Sequence, residues 1–232
     1  MKKNVLLLLL LLSSISVVAQ KKSRKEYLVT LATDLGTMYL VLHDQTPQHK
    51  ANFLKLAQQH FYDSLLFHRV IEGFMIQGGD PNSRKAQSGG SLGSGEVGYT
   101  VPAEFHPALF HRKGALAAAR DNNPQKASSG SQFYLVQGKP LAEPELKQAE
   151  ARGNSTHTEA QKKVYATEGG TPHLDGSYTV FGQVVGGLDV LDKIAAQPKN
   201  ESDRPVKDVR MTVSVQKTKK RKITKRFGYQ FE

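Results

Sequence analysis

The chain has 232 residues, 38% hydrophobic and 23% charged, enough apolar material for a packed core and too much for a wholly disordered protein. Cysteine is absent, which excludes disulfides, thiolate metal sites and a cysteine nucleophile. The net charge of +11 sits mostly at the ends: residues 217–232 carry seven basic side chains and one acid, and Lys2 and Lys3 add two more. Residues 4–216 hold 23 basic and 20 acidic groups, so a uniformly basic nucleic-acid-binding body is excluded and no nucleic acid is expected as a partner.

In chain order, Lys2 and Lys3 precede eight apolar residues, Val5–Leu12. Ser13, Ser14 and Ser16 break the run before Val17-Val18-Ala19. This reads as an export signal, residues 1–19, cleaved after Ala19. A spanning helix needs about 20 mainly apolar residues, which this segment does not supply. A periplasmic or envelope location is expected, with membrane contact only if the signal stays attached or the tail meets an anionic surface. Residues 20–216 read as one domain. Tyr27–Thr33 and Thr37–Leu42 are β-rich runs around a turn at Asp34–Gly36. Thr46-Pro47 then opens a helix to about His60, threonine capping it and proline fitting its first turn, with Ala51, Leu54 and Ala57 on one stripe. Strand signals follow at Leu66–Val70, Phe74–Gln77, Gly114–Ala119, Gln132–Gln137, Tyr178–Val185 and Val209–Gln216. A helix over Leu188–Ala196 presents Leu188, Leu191 and Ile194 as one buried face. Eight short strands and two helices without βαβ alternation point to a mainly β, antiparallel sheet or barrel.

Residues 139–170 are polar and lack a strand signal, and Thr158-Glu-Ala-Gln161 is a capping box. They read as a helical insertion packed beside the sheet through Ala160 and Val164, with Lys162 and Lys163 in water. The tail 217–232 reads as a solvated basic extension. Several chemistries find no support. The glycine-rich stretch Ser88–Gly95 lacks the Gly-Lys-Ser/Thr ending of a phosphate loop. Ser91 is not in a nucleophile elbow. His106 and His111 flank Pro107 at a spacing poor for metal ligation. No metal or cofactor is expected.

The informative stretch is Phe67-His-Arg-Val-Ile-Glu-Gly-Phe-Met-Ile-Gln-Gly-Gly-Asp-Pro81, in which an arginine lies inside an apolar strand. A charged side chain there either faces a cleft or pairs with an acid. As a set, these 15 positions resemble the central signature of the cyclophilin-type peptidyl-prolyl isomerases. The resemblance continues through Gly114–Arg120, Ser129–Tyr134 and Leu174–Gly182, and spans about Tyr27 to Gln216.

It implies a closed eight-stranded antiparallel barrel capped by two helices, and an isomerase that needs no cofactor and acts as a monomer on proline-containing peptides and folding client proteins. By motif position Arg69 resembles the catalytic arginine, and Gln77 the glutamine that holds it and contacts substrate. Phe74, Met75 and Leu174 resemble the proline-pocket walls; Ala119, Arg120 and Gln132 resemble the groove for the peptide backbone, pairing with it as an added strand at Ala119–Arg120. Three positions depart from the best-known eukaryotic pattern: Tyr134 replaces a phenylalanine, His173 a tryptophan and Tyr178 a histidine. With these departures the resemblance implies an altered pocket and weak inhibition by cyclosporin. The alternatives are a proline-peptide-binding module or a surface scaffold without significant catalysis.

Overall fold

The computed structural model describes residues 23–87, 90–153 and 155–231; the expected export signal lies outside them. All eight expected strands form, in one antiparallel sheet. They are β1 (Lys25–Thr33), β2 (Gly36–Leu42), β3 (Phe67–Ile71), β4 (Met75–Gly78), β6 (Ala115–Ala118), β8 (Phe133–Val136), β9 (Val180–Gly186) and β10 (Thr212–Lys219). Their spatial order is β10-β1-β2-β9-β6-β8-β4-β3, and β5 (Thr100–Val101) with β7 (Ser128–Ser129) makes a separate two-stranded ladder.

The sheet curls into a half-barrel and does not close, contrary to the expected closed barrel. Among the described residues its edges meet where residues 64–67 pass residues 209–211, through the Leu66–Arg210 bridge and short backbone bonds such as Met211 N–H to Leu65 O at 2.8 Å. Beyond that point the edge of β3 is taken by a loop, with the Val70 N–H donating to Asp203 O at 2.8 Å. A loop carbonyl thus occupies an edge donor that a closing strand would need.

Side chains alternate across the curled sheet with the period of two that strands impose. Leu31, Leu40, Val70, Ile76, Leu116, Phe133, Leu135 and Phe181 point into the concave core. Met75, Ala115, Ala117, Tyr134, Val136 and Val180 form a second cluster on the convex face of the central strands. Two helices cover the core. In α1 (Pro47–Gln58) the buried residues are His49, Phe53, Leu56 and Ala57, not the stripe through Ala51. Phe53 turns the helix, because its ring packs on Tyr62, Phe133 and Phe181 at 4.9–5.7 Å. Thr46 makes no side-chain cap; instead the Glu104 carboxylate accepts from the Gln48 and His49 amides at 3.0 and 2.9 Å. A negative group there satisfies free amides and complements the helix dipole. In α4 (Leu188–Ala195) Val190, Leu191, Ile194 and Ala195 are buried while Leu188 stays exposed.

Three more helices bring the total among the described residues to five. The insertion holds α2 (Glu143–Gly153) and α3 (Glu159–Thr167), the latter starting on the expected Thr158/Gln161 capping box. Tyr165, not Ala160 or Val164, is its buried residue, because its hydroxyl reaches Asp175 while Ala160 faces solvent. The insertion leaves and re-enters the sheet at one point: a Cβ on Gly138 would lie 2.4 Å from the Gly170 backbone nitrogen. The tail is not a loose extension. β10 runs to Lys219, and α5 (Lys220–Phe227) buries Ile223 against Leu28 and Val41, with Tyr39 and Phe227 beside it. The basic residues that suggested solvation occupy the other face of that helix, while Ile223 and Phe227, four apart, supply its apolar stripe.

Candidate active site

The register of four adjacent strands lays out the site. Arg69 pairs with Gln77, Gln77 with Tyr134, and Tyr134 with Ala117, so these residues form one row across β3, β4, β8 and β6. The row lies on the convex face, since its neighbours Val70, Ile76, Phe133 and Leu116 fill the core. The β3–β4 turn places Phe74 just before β4, beside the row and on the same cavity. Gly73 takes φ +74°, a left-handed value that glycine adopts without strain, and its N–H donates to the Gln137 side chain at 2.6 Å. The Phe74 carbonyl accepts from the Gln137 and Gly138 amides at 2.9 and 3.0 Å, so its backbone is fixed. Gln137 is held in turn by Asp192 at 2.9 Å, a support that nothing local in the sequence signals.

Arg69, Phe74, Met75, Gln77, Ala119, Arg120, Tyr134, Leu174 and Tyr178 line one cavity of about 160 Å³. Nine of the eleven expected site residues therefore converge. Gln132 lies in the adjoining cavity of about 80 Å³, which shares Gln77, Ala119 and Arg120 with the first. His173 stands behind the wall, its ring stacked on Phe74 with centroids 5.8 Å apart, and does not line the cavity. The opposite wall is an aromatic corner: Tyr178 meets Tyr134 edge-on at 6.0 Å, and the Arg120 guanidinium lies 4.7 Å from the Tyr178 ring. Arg120 also donates from Nε to Ser177 O at 2.9 Å, which fixes that stack.

Two contacts differ from the expected ones. Gln77 does not grip Arg69: its amide donates to the Gln132 side chain at 3.1 Å, and Gln132 donates to the Gly93 and Gly95 carbonyls at 2.9 Å. Arg69 is instead faced by Asp203, with Nε 3.6 Å from Oδ2, and Lys199 holds the other carboxylate oxygen at 2.6 Å. The Ala119 backbone, expected to pair with a bound peptide, already has partners within the chain. Its N–H already donates to Gln132 O at 3.0 Å, and its carbonyl accepts from the Ser129 amide at 2.8 Å. The glycine-rich stretch serves as a wall of the second cavity through Gly93 and Ser94.

The Tyr134 ring faces the cavity and its hydroxyl turns inward to His111 at 2.8 Å. Burial, aided by the nearby Tyr178 and Asp175, pushes the Tyr134 hydroxyl well above the usual tyrosine pKa, so it remains a neutral donor. The site thus presents a half-exposed guanidinium at the mouth of a small aromatic and aliphatic cavity. Among the described residues no cluster of three or more His, Asp or Glu side chains is arranged to hold a metal ion.

Residues 28–215 match the family model described as cyclophilin type peptidyl-prolyl cis-trans isomerase/CLD. A Staphylococcus haemolyticus protein named "Putative peptidyl-prolyl cis-trans isomerase" is 38% identical over 185 residues, covering 79% of this chain and 88% of the relative. A Streptococcus pyogenes protein named "Putative bifunctional phosphatase/peptidyl-prolyl cis-trans isomerase" is 42% identical over 186 residues, and the match spans only 37% of its length. The half-barrel is similar to a crystal structure of a Cryptosporidium parvum cyclophilin type isomerase determined in the presence of the dipeptide Ala-Pro. The TM-score is 0.59 at 24% identity, over 82% of this chain and 98% of that one. The chain belongs to the family of cyclophilin-type peptidyl-prolyl cis-trans isomerases.

Proposed function

We propose that this chain accelerates cis–trans rotation of X–Pro bonds in peptides and folding proteins, with Arg69 as the catalytic residue. The observation that carries the reading is the convergence of Arg69, Phe74, Met75, Gln77, Tyr134 and Leu174 on one cavity of about 160 Å³. That volume is well below the ~300–1,000 Å³ of pockets for drug-sized ligands and suits a single small ring. The Ala-Pro dipeptide named with the Cryptosporidium structure is a ligand of matching chemistry.

Rotation about the prolyl amide is opposed by ~18–20 kcal/mol of lost conjugation. A nucleophile is unnecessary; what lowers the barrier is tighter binding of the twisted amide than of either planar form. As the amide twists, the prolyl nitrogen pyramidalises and its lone pair becomes an acceptor. Arg69 donates to that lone pair while Phe74, Met75 and Leu174 hold the ring. Its guanidinium stays charged throughout, and Asp203 limits its swing without saturating the five N–H donors. A protease-coupled assay with a proline tetrapeptide tests the reading against a binding module without catalysis: turnover above the uncatalysed rate is expected, and binding of the peptide without turnover contradicts it. Export is proposed on the sequence of residues 1–19 alone, and the mass of the protein recovered from the cell envelope tests cleavage after Ala19.

A further inference from the structure

The hydroxyl of Tyr134 begins a buried chain of hydrogen bonds that ends in the insertion. It meets His111 Nε2 at 2.8 Å; His111, fully buried, places Nδ1 2.6 Å from Asp175 Oδ1, and its backbone N–H donates to the same oxygen at 2.8 Å. The other oxygen, Oδ2, is approached by His157 Nε2 at 2.8 Å and by the Tyr165 hydroxyl. His157 Nδ1 lies 3.0 Å from Glu150 Oε1. Glu150, His157 and Tyr165 all belong to the insertion; Asp175 directly follows the cavity wall residue Leu174.

The proton positions follow from these partners. An ionised Asp175 only accepts, so His111 donates to it from Nδ1, and Nε2 of the same ring meets the Tyr134 hydroxyl. His157 faces a carboxylate on each ring nitrogen, so both nitrogens carry protons and the ring is cationic. Burial opposes that charge, and the bonds to Asp175 and Glu150 outweigh it, raising the pKa of His157. Asp175 therefore accepts from His111, His157 and Tyr165 together. A phenol placed where an apolar ring would suffice leaves a buried hydroxyl, which is costly without a partner. The network supplies that partner and fixes the ring. A second contact clamps the same segment: a Cβ on Gly153, at the end of α2, would lie 2.8 Å from the His173 carbonyl oxygen.

We infer that the insertion is a positioning element for the pocket: His157 and Tyr165, acting through Asp175 and His111, set the orientation of the Tyr134 ring against the substrate. This rests on the cavity being the proline site. None of the described insertion residues lines the cavity, so their influence passes through Asp175 and its neighbours.

The experiment measures kcat and KM for a proline tetrapeptide in the full chain carrying His157→Gln, alone and combined with Tyr134→Phe. Tyr165→Phe, which deletes one hydroxyl, is run in parallel and takes the place of His157→Gln should that variant not fold. Tyr134→Phe alone provides the reference for the double variants. In the tyrosine background the insertion variants should raise KM about five- to tenfold with kcat nearly unchanged, a loss of about 1–1.4 kcal/mol in binding. In the Tyr134→Phe background, where the last hydrogen bond no longer exists, the same changes should shift KM less than about twofold. Equal losses in both backgrounds, or no loss in either, overturn the inference. Phe74→Ala is the control: if it leaves activity intact, the proline-site reading fails, whereas an inactive Phe74→Ala with no coupling to Tyr134 sinks only the positioning role.

Discussion

Replacing Ile223 by alanine probes whether the basic tail is part of the fold. Ile223 is 1% exposed and packs on Leu28 and Val41 on the outer face of the sheet, with Tyr39, Val185 and Phe227 around it. Arg226 lies 4.4 Å from the Tyr39 ring, and Phe227 packs against Tyr39 at 5.0 Å, so the helix is held at both of its apolar positions. Removing a buried isoleucine costs ~2–5 kcal/mol, and the lower half applies here because the cluster is small and lies near solvent. For a domain of this size, about 2–3 kcal/mol lowers the unfolding temperature by about 5–10 °C. Lys222, exposed on the same helix, provides the comparison: Lys222→Ala should change stability by less than ~0.5 kcal/mol. Circular-dichroism melts of the two variants decide the matter. Equal unfolding temperatures would refute the docking of α5, and isomerase activity below the transition should be unchanged in both, since α5 contributes no residue to the cavity.

Phe74→Ala removes a wall used in both ground and transition states, so KM should rise as well as kcat fall; an unchanged KM in steady-state assays would place the proline ring elsewhere. Asp203→Ala frees a guanidinium whose side chain is 41% exposed, and a partly solvated pair is worth ~0.5–1 kcal/mol, so kcat should drop about two- to fivefold with the peptide affinity unchanged. Burial, with Lys50 beside His43, lowers the pKa of His43 to about 4, and burial lowers that of His68 to about 4. Each binds its proton earlier in the unfolded chain, near 6.5, than in the folded one. Their stabilisation is therefore complete above 6.5 and lost as pH falls towards 4, about 3 kcal/mol for each histidine. Urea midpoints at about pH 7.5 and about pH 4.5 should differ accordingly, and a midpoint that does not fall on acidification contradicts this.

The strands were legible because each carries its own alternation, and the row from Arg69 to Tyr134 follows once that alternation meets the antiparallel register. The 15-residue run around Arg69 located the cavity for the same reason: its residues are local in sequence, and β3 and β4 form a hairpin. What was not legible depends on distant partners. Glu104 caps α1 from 55 residues away, and nothing around either end marks the pairing. Asp203 sits in a polar loop, and its approach to Arg69 is set by how that loop covers the open edge of β3. The insertion looked polar because two of its key groups, the buried His157 and the partly buried Glu150, pack only as part of a charge network with Asp175. The tail misled through composition: seven cations concealed an apolar stripe of two residues at helical spacing, which is too little to stand out without the surface it covers. The expected barrel closure failed at the same kind of point, where a loop carbonyl took an edge donor from a strand.

Arg69 carries the central claim, and its substitution by alanine in the protease-coupled assay is the most direct measurement. Losing a donor that acts mainly in the transition state costs ~3–4 kcal/mol, so kcat/KM should fall about 10²–10³-fold while the unfolding temperature holds. Arg69→Lys keeps the charge but not the planar fork and should recover only part of the rate. A folded Arg69→Ala protein that turns over proline peptides at the wild-type rate would contradict the account.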